Sequence, residues 1–186
     1  MNQQHPSHRP HPLAIVIAIV FLCVAAAILY WGQEGTRETL ELYIPDPSSD
    51  ALRSVPVSPQ PSAQESADDQ VLRVVTALLE RSAKAPEGEK VAPAGTQLLS
   101  AIVAGDMVTL NFSSRIEDSA FWTGSNREYL SVYAIVSTAT QFPGIDRVQF
   151  LVEGKELETL GGHIELTEPL TRDPALRDGV KKTEHR

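Results

Sequence analysis

From Ser125 to Val152 the chain reads SNREYLSVYAIVSTATQFPGIDRVQFLV, and no other stretch limits the possible folds so tightly. Tyr129, Val132, Tyr133 and Val136, continued by Ala139 or Thr140, recur at the spacing of one buried helical face. Ser131, Ser137 and Thr138 lie on the opposite, polar face, and Ser125 with Glu128 matches a capping box at the helix start. Phe142-Pro143-Gly144 then stops the helix, since proline cannot continue it and glycine permits the turn. Val148, Phe150 and Val152 alternate along a strand immediately afterwards. A helix and a strand that each bury one face must share a core, so an α+β layer is the expected architecture.

Neighbouring segments supply the remaining layers. Thr39–Ile44 alternates Leu40, Leu42 and Ile44 with polar positions, as a half-buried strand does. Residues 45–66 are rich in Pro and Ser and read as a long loop. Ser66 is the expected N-cap of a first helix, with Asp68 and Asp69 in its first turn, and Val71, Leu72, Val75, Leu78 and Leu79 on its buried face. Pro86 and Gly88 end it. Leu98–Val103 and Met107–Phe112 form a hairpin around Gly105-Asp106, a glycine-first two-residue turn. Glu153-Gly154 leads into a second hairpin strand, Glu156–Leu160, and His163–Leu166 reads as a last extended piece. Thr171–Arg186 is charged, without apolar periodicity, and is expected to be a loose tail. The expected fold is thus two helices on one face of a small, mainly antiparallel sheet.

Ahead of this region, Leu13–Trp31 carries no charged side chain, and Tyr30 and Trp31 close it with interfacial aromatics. A helix of that length rises about 28 Å, near the hydrocarbon thickness of a bilayer. One uncleaved transmembrane helix is therefore expected to precede the domain. A polar tail at 1–12, containing His5, His8 and His11, would be cytoplasmic, and 32–38 would link the span to an extracytoplasmic domain at 39–173. Residues 174–186 would follow as a flexible end.

Charge and chemistry narrow the function by exclusion. From Gly32 onward there are 15 basic and 24 acidic residues, a net of −9, which disfavours nucleic acid and anionic lipid surfaces. Cys23 is the single cysteine, so no disulfide or cysteine-based zinc site forms within the chain. No phosphate-binding glycine loop occurs. His163 lacks an evident partner in a triad and reads as structural; Glu153, Glu156 and Glu158 read as a solvated face. Asn111-Phe112-Ser113 is a chance glycosylation sequon on a strand. Phe121 and Trp122 are read as closing the core, while Trp122 and Tyr129 are the candidates for stacking on a glycan. Neither a catalytic residue, a cofactor nor a metal site is assigned, and a non-enzymatic role is expected.

The strings LYIPD (Leu42–Asp46), PAGTQLLSAIVAGDMVTLNFSS (Pro93–Ser114), AIVSTATQFPGIDRVQFLVEGK (Ala134–Lys155) and LGGHIELTEPL (Leu160–Leu170) resemble the GerMN domain of sporulation and spore-germination proteins. That resemblance implies a fold similar to the ring-building motifs of envelope assemblies. It also implies a membrane-tethered scaffold or interaction module outside the cytoplasm, in sporulation or germination, docking on an envelope protein or on further copies of itself. The chain has one copy of the domain, whereas some relatives have two. The alternative is a non-catalytic module that binds cell-wall glycan or peptide.

Overall fold

The structure is a computed structural model that describes residues 39–62 and 64–176. Strands β1 (Glu41–Pro45) and β2 (Leu52–Pro56) pair antiparallel in a small sheet of their own, with Leu42 opposite Val55. Helix α1 (Ala67–Lys84) follows, then a hairpin of β3 (Leu98–Ala104) and β4 (Met107–Phe112). Helix α2 (Ser125–Ala139) leads to β5 (Arg147–Val152), and two short strands, β6 (Lys155–Glu156) and β7 (Leu170–Thr171), close the order. The larger sheet runs β3-β4-β5-β6, with β7 also pairing to β5.

The centre of that sheet is a parallel pair. Val108 lies opposite Val148, Leu110 opposite Phe150 and Phe112 opposite Val152. These side chains are all buried on one face, where Phe112 and Phe150 stack with ring centroids 5.8 Å apart. Val71, Val74, Val75 and Leu78 of α1, with Val132, Ile135 and Val136 of α2, join them in one hydrophobic core. Parallel neighbours cannot be joined by a tight turn, and here the connection carries α2 across the core.

Local signals explain most boundaries. The Ser66 hydroxyl oxygen accepts the Asp69 N–H at 3.1 Å, the expected N-cap. Gly105 takes φ +63° between β3 and β4, so the hairpin turn falls where a glycine-first pair places it. After α2, Phe142 tucks into the core and Gly144 turns the chain at φ +82°. The β5–β6 turn uses positive φ at both Glu153 and Gly154.

Several expectations are corrected. The expected single sheet is two sheets; four of the five strand pairings are antiparallel, and the exception is the central β4–β5 pair of the larger sheet. Within the 45–66 loop, Leu52–Pro56 forms β2, because a turn anchored by the Asp46 carboxylate returns the chain onto β1; that carboxylate accepts from the Ser48 N–H and hydroxyl and from the Ser49 hydroxyl. Beyond Glu156 the second hairpin strand gives way to turns, and His163–Leu166 is not a strand. Instead Leu170–Thr171 pairs with β5, and Leu176 is buried, so the first residues of the expected loose tail belong to the domain.

The expected capping box is also absent: Gly124 at φ +94° is the N-cap of α2 and makes no side-chain cap bond. Nor is α2 polar on its far side, since Ser131, Ser137 and Thr138 are all buried. Its position against both β1 and the larger sheet explains this. The Thr138 hydroxyl oxygen accepts the Tyr43 N–H at 3.0 Å, and the Ser131 hydroxyl donates to the Lys90 carbonyl. The expectation of a fold preceded by one transmembrane helix is not sustained either. Among the described residues no helix is long and apolar enough to cross a membrane, and Leu13–Trp31 lies outside them.

The stacked phenylalanines give a direct check on this core. Phe150→Ala is expected to cost about 4 kcal/mol, as large-to-small changes at closed core sites do. Chemical denaturation of the full chain measures it, and a loss below about 1 kcal/mol would show that the site is not closed.

Candidate functional site

One carboxylate dominates the polar chemistry of the interior. Glu128, in the first turn of α2, is fully buried. Its Oε1 accepts the Thr159 hydroxyl and the Gly161 N–H, both at 2.8 Å. Its Oε2 accepts the His163 N–H at 2.9 Å and lies 2.9 Å from His163 Nδ1. All four partners therefore come from a five-residue stretch that has no regular secondary structure.

Gly161 is required by this approach. A Cβ there would stand 2.8 Å from Glu128 Oε2 and 3.0 Å from Trp122 Cβ. Burial pushes the Glu128 carboxyl toward neutrality, but the Gly161 N–H, the Thr159 hydroxyl and the two His163 groups outweigh it, and its pKa falls below the ordinary carboxylate range. The arrangement is a latch: a buried anion holds the 159–163 loop against the domain.

This site pairs His163 with a carboxylate that sequence reading did not connect to it. A carboxylate on Nδ1 is how enzymes orient a histidine base. Here, however, the Thr159 hydroxyl donates to the same carboxylate rather than facing the ring as a nucleophile. No cluster of three or more His, Cys, Asp or Glu suited to a metal ion occurs among the described residues. Glu153 accepts the Ser114 N–H at 2.9 Å, while Glu156 and Glu158 are exposed, and the three do not converge with Glu128.

The two stacking candidates are otherwise engaged. Trp122 is buried, donates its indole N–H to the Ile116 carbonyl at 2.6 Å and meets the Phe121 ring edge-on. Tyr129 packs on Tyr133 and donates its hydroxyl to the Asp173 carboxylate. Burial, followed by the bond and charge of Asp173, pushes the Tyr129 hydroxyl up to about 12, so it remains a donor across the physiological range. Asn111 Oδ1 accepts the Gly154 N–H, giving that residue a turn-fixing role on its strand.

Surface features lie elsewhere. On edge strand β3, Leu99 is 45% and Ile102 56% exposed, and they are the exposed large apolar side chains among the described residues. A bulge between Leu98 and Ser100 leaves Leu99 outside the pairing with β4. Farther along the same edge, the Val103 N–H donates to Asp68 Oδ1 at 2.9 Å, which removes one free ladder donor. A polar cleft of about 410 Å³ is lined by Asp46, Asp50, Glu87, Lys90, Asn126 and Arg127, among others.

The latch is tested through its acid dependence. Because the folded pKa of Glu128 is lowered, its stabilisation is present above the ordinary carboxyl value of 4.5 and is lost as pH falls through the folded value. Glu128→Gln should flatten the fall of unfolding free energy below that pH, and an unchanged slope would show that Glu128 does not drive it. Glu128→Ala, which removes the shared acceptor of the Thr159, Gly161 and His163 donors, should cost about 3 kcal/mol near neutral pH. Gly161→Ala should reproduce much of that loss by displacing the carboxylate.

The family model described as Germane, sporulation and spore germination, matches residues 41–158. Among solved structures, a candidate lipoprotein from Clostridium perfringens is similar at 20% identity and TM-score 0.52, over 71% of this chain and 85% of that one. The first GerMN domain of the sporulation protein GerM from Bacillus subtilis is similar at 24% identity and TM-score 0.52, over 72% of this chain and 97% of that one. The tandem GerMN domains of the same protein align at 22% identity and TM-score 0.52 over 72% of this chain, which spans 45% of the tandem. No curated protein matches the chain. These likenesses concern the fold, whereas the family match covers more than half of the 186 residues, and the chain belongs to the Germane family of sporulation and spore germination domains.

Proposed function

We propose that this chain is a non-catalytic interaction and scaffold module associated with the bacterial cell envelope, serving sporulation or germination. Its partner is an envelope protein or a second copy of itself. The observation that carries the reading is the exposed apolar pair on β3: Leu99 and Ile102 stand on an edge strand while the rest of the large apolar side chains among the described residues are at least half-buried. Exposed apolar surface on a sheet edge is a common basis for protein contact. Envelope association is supported by the similar fold of the candidate lipoprotein from Clostridium perfringens.

A second reading rests on the cleft of about 410 Å³, whose lining of both charge signs suits a zwitterionic cell-wall peptide or glycan. Retention of the full chain on purified cell-wall sacculi, lost on Arg127→Ala, would favour that reading over the first.

The double substitution Leu99→Asp and Ile102→Asp separates fold from contact. Both side chains are exposed, so the thermal midpoint should move by no more than about 3 °C. Concentration-dependent association of the full chain, or crosslinking to its envelope partner in cells, should be abolished. Association and crosslinking that persist unchanged in the double variant would remove β3 as the contact surface.

A further inference from the structure

We propose that the groove between α1 and the proline-rich segment before it seats an extended, basic segment of a partner protein. The groove encloses about 530 Å³. Its apolar lining is Val57, Pro59, Leu72 and Ala77, and carboxylates of Glu65, Asp69 and Glu80 share it with a single cation, Arg73. That cation is already matched: Arg73 Nε and Nη2 donate to the two Glu65 carboxylate oxygens at 3.0 and 2.9 Å. Asp69 and Glu80 remain as net negative charge. Asp69 accepts the Ser66 hydroxyl, a contact that leaves its charge intact.

Helical geometry turns these two carboxylates into a ruler. They stand eleven positions apart, so they lie about 16 Å apart along the axis and within about 20° of the same azimuth. An extended chain covers that distance in about five residues. The matching segment carries Lys or Arg at two positions four or six residues apart, an even spacing that puts both on one face, with apolar side chains between them over Leu72 and Ala77. The stripe of α1 that holds Asp69, Thr76 and Glu80 faces away from its buried Val71, Val74, Val75 and Leu78. Occupancy therefore leaves the core packing undisturbed. The proposal rests on the interaction-module reading but uses a surface separate from Leu99 and Ile102, so the two can fail independently.

The experiment uses the full chain and two blocked synthetic peptides of about ten residues. One carries two lysines four apart, so that both project from the same face of the extended chain, with valine and leucine between them, and the other has glutamate in place of both lysines. The basic peptide should bind about tenfold or more tightly than the acidic one, weaken at high salt, and shift amide signals of Ser58, Thr76 and Ala77. Asp69→Asn with Glu80→Gln should reduce its affinity about fivefold or more, while Leu99→Asp with Ile102→Asp leaves it unchanged. Equal binding of both peptides, shifts that avoid the groove, or full affinity in the Asp69/Glu80 variant would overturn the proposal. So would groove signals that shift on concentrating the protein alone, since a second copy would then be the occupant.

Discussion

The parallel alignment of β4 with β5 sets the conditions that the rest of the domain meets. Six consecutive positions pair in register, from Met107 opposite Arg147 to Phe112 opposite Val152. To bring β5 alongside in that direction, the chain must leave the far end of β4 and return to its beginning. Residues 113–146 do so, and α2 is the rigid part of that crossover. Helix, aromatic stack and loop closures are then consequences of one strand direction. Antiparallel pairing of the same two strands would need no helix between them.

Because α2 is enclosed, its polar residues need internal partners, and they have them. Thr138 serves the β1 backbone, Ser131 meets the Lys90 carbonyl, and Gln141, just beyond the helix, exchanges bonds with both the N–H and carbonyl of Glu41. No buried side-chain nitrogen or oxygen among the described residues lacks a partner. The small β1–β2 sheet is thereby held by side chains of the helical segment rather than by ladder bonds to the larger sheet. Glu128 is the extreme case, a charge kept inside by donors from a single loop. Burying it without them would be strongly unfavourable.

What could be read in the residues follows a physical divide. Periodicity exposed α1, the β3–β4 hairpin, α2 and β5, because each buries a face at a regular repeat. The Ser66 cap and the glycine-first turn were readable because their chemistry is local. Non-local facts were hidden. LRSVP has too little alternation to announce a strand, and it becomes one because β1 offers it a partner. Glu128 matched a capping box by spacing, yet its partners lie more than thirty residues away. Trp122 was read both as closing the core and as a stacking candidate, and only its burial decides for the first. The direction of β5 left no trace in its alternation, since parallel and antiparallel strands can bury the same face. A glutamate beside a run of apolar helix positions, with a Gly-Gly-His further on, was the faint signal of the latch.

The latch has a consequence for where this domain ends. The family match stops at residue 158, one position before the first donor to Glu128. A fragment cut to that boundary would keep the carboxylate and lose Thr159, Gly161 and His163 together. It would also lose the β7 partner of β5, the Asp173 acceptor of Tyr129 and the buried Leu176. The recurring sequence pattern and the packed domain are therefore different objects. The packed domain reaches at least to Leu176, and an excised piece that respects only the first lacks every donor that holds the Glu128 carboxylate.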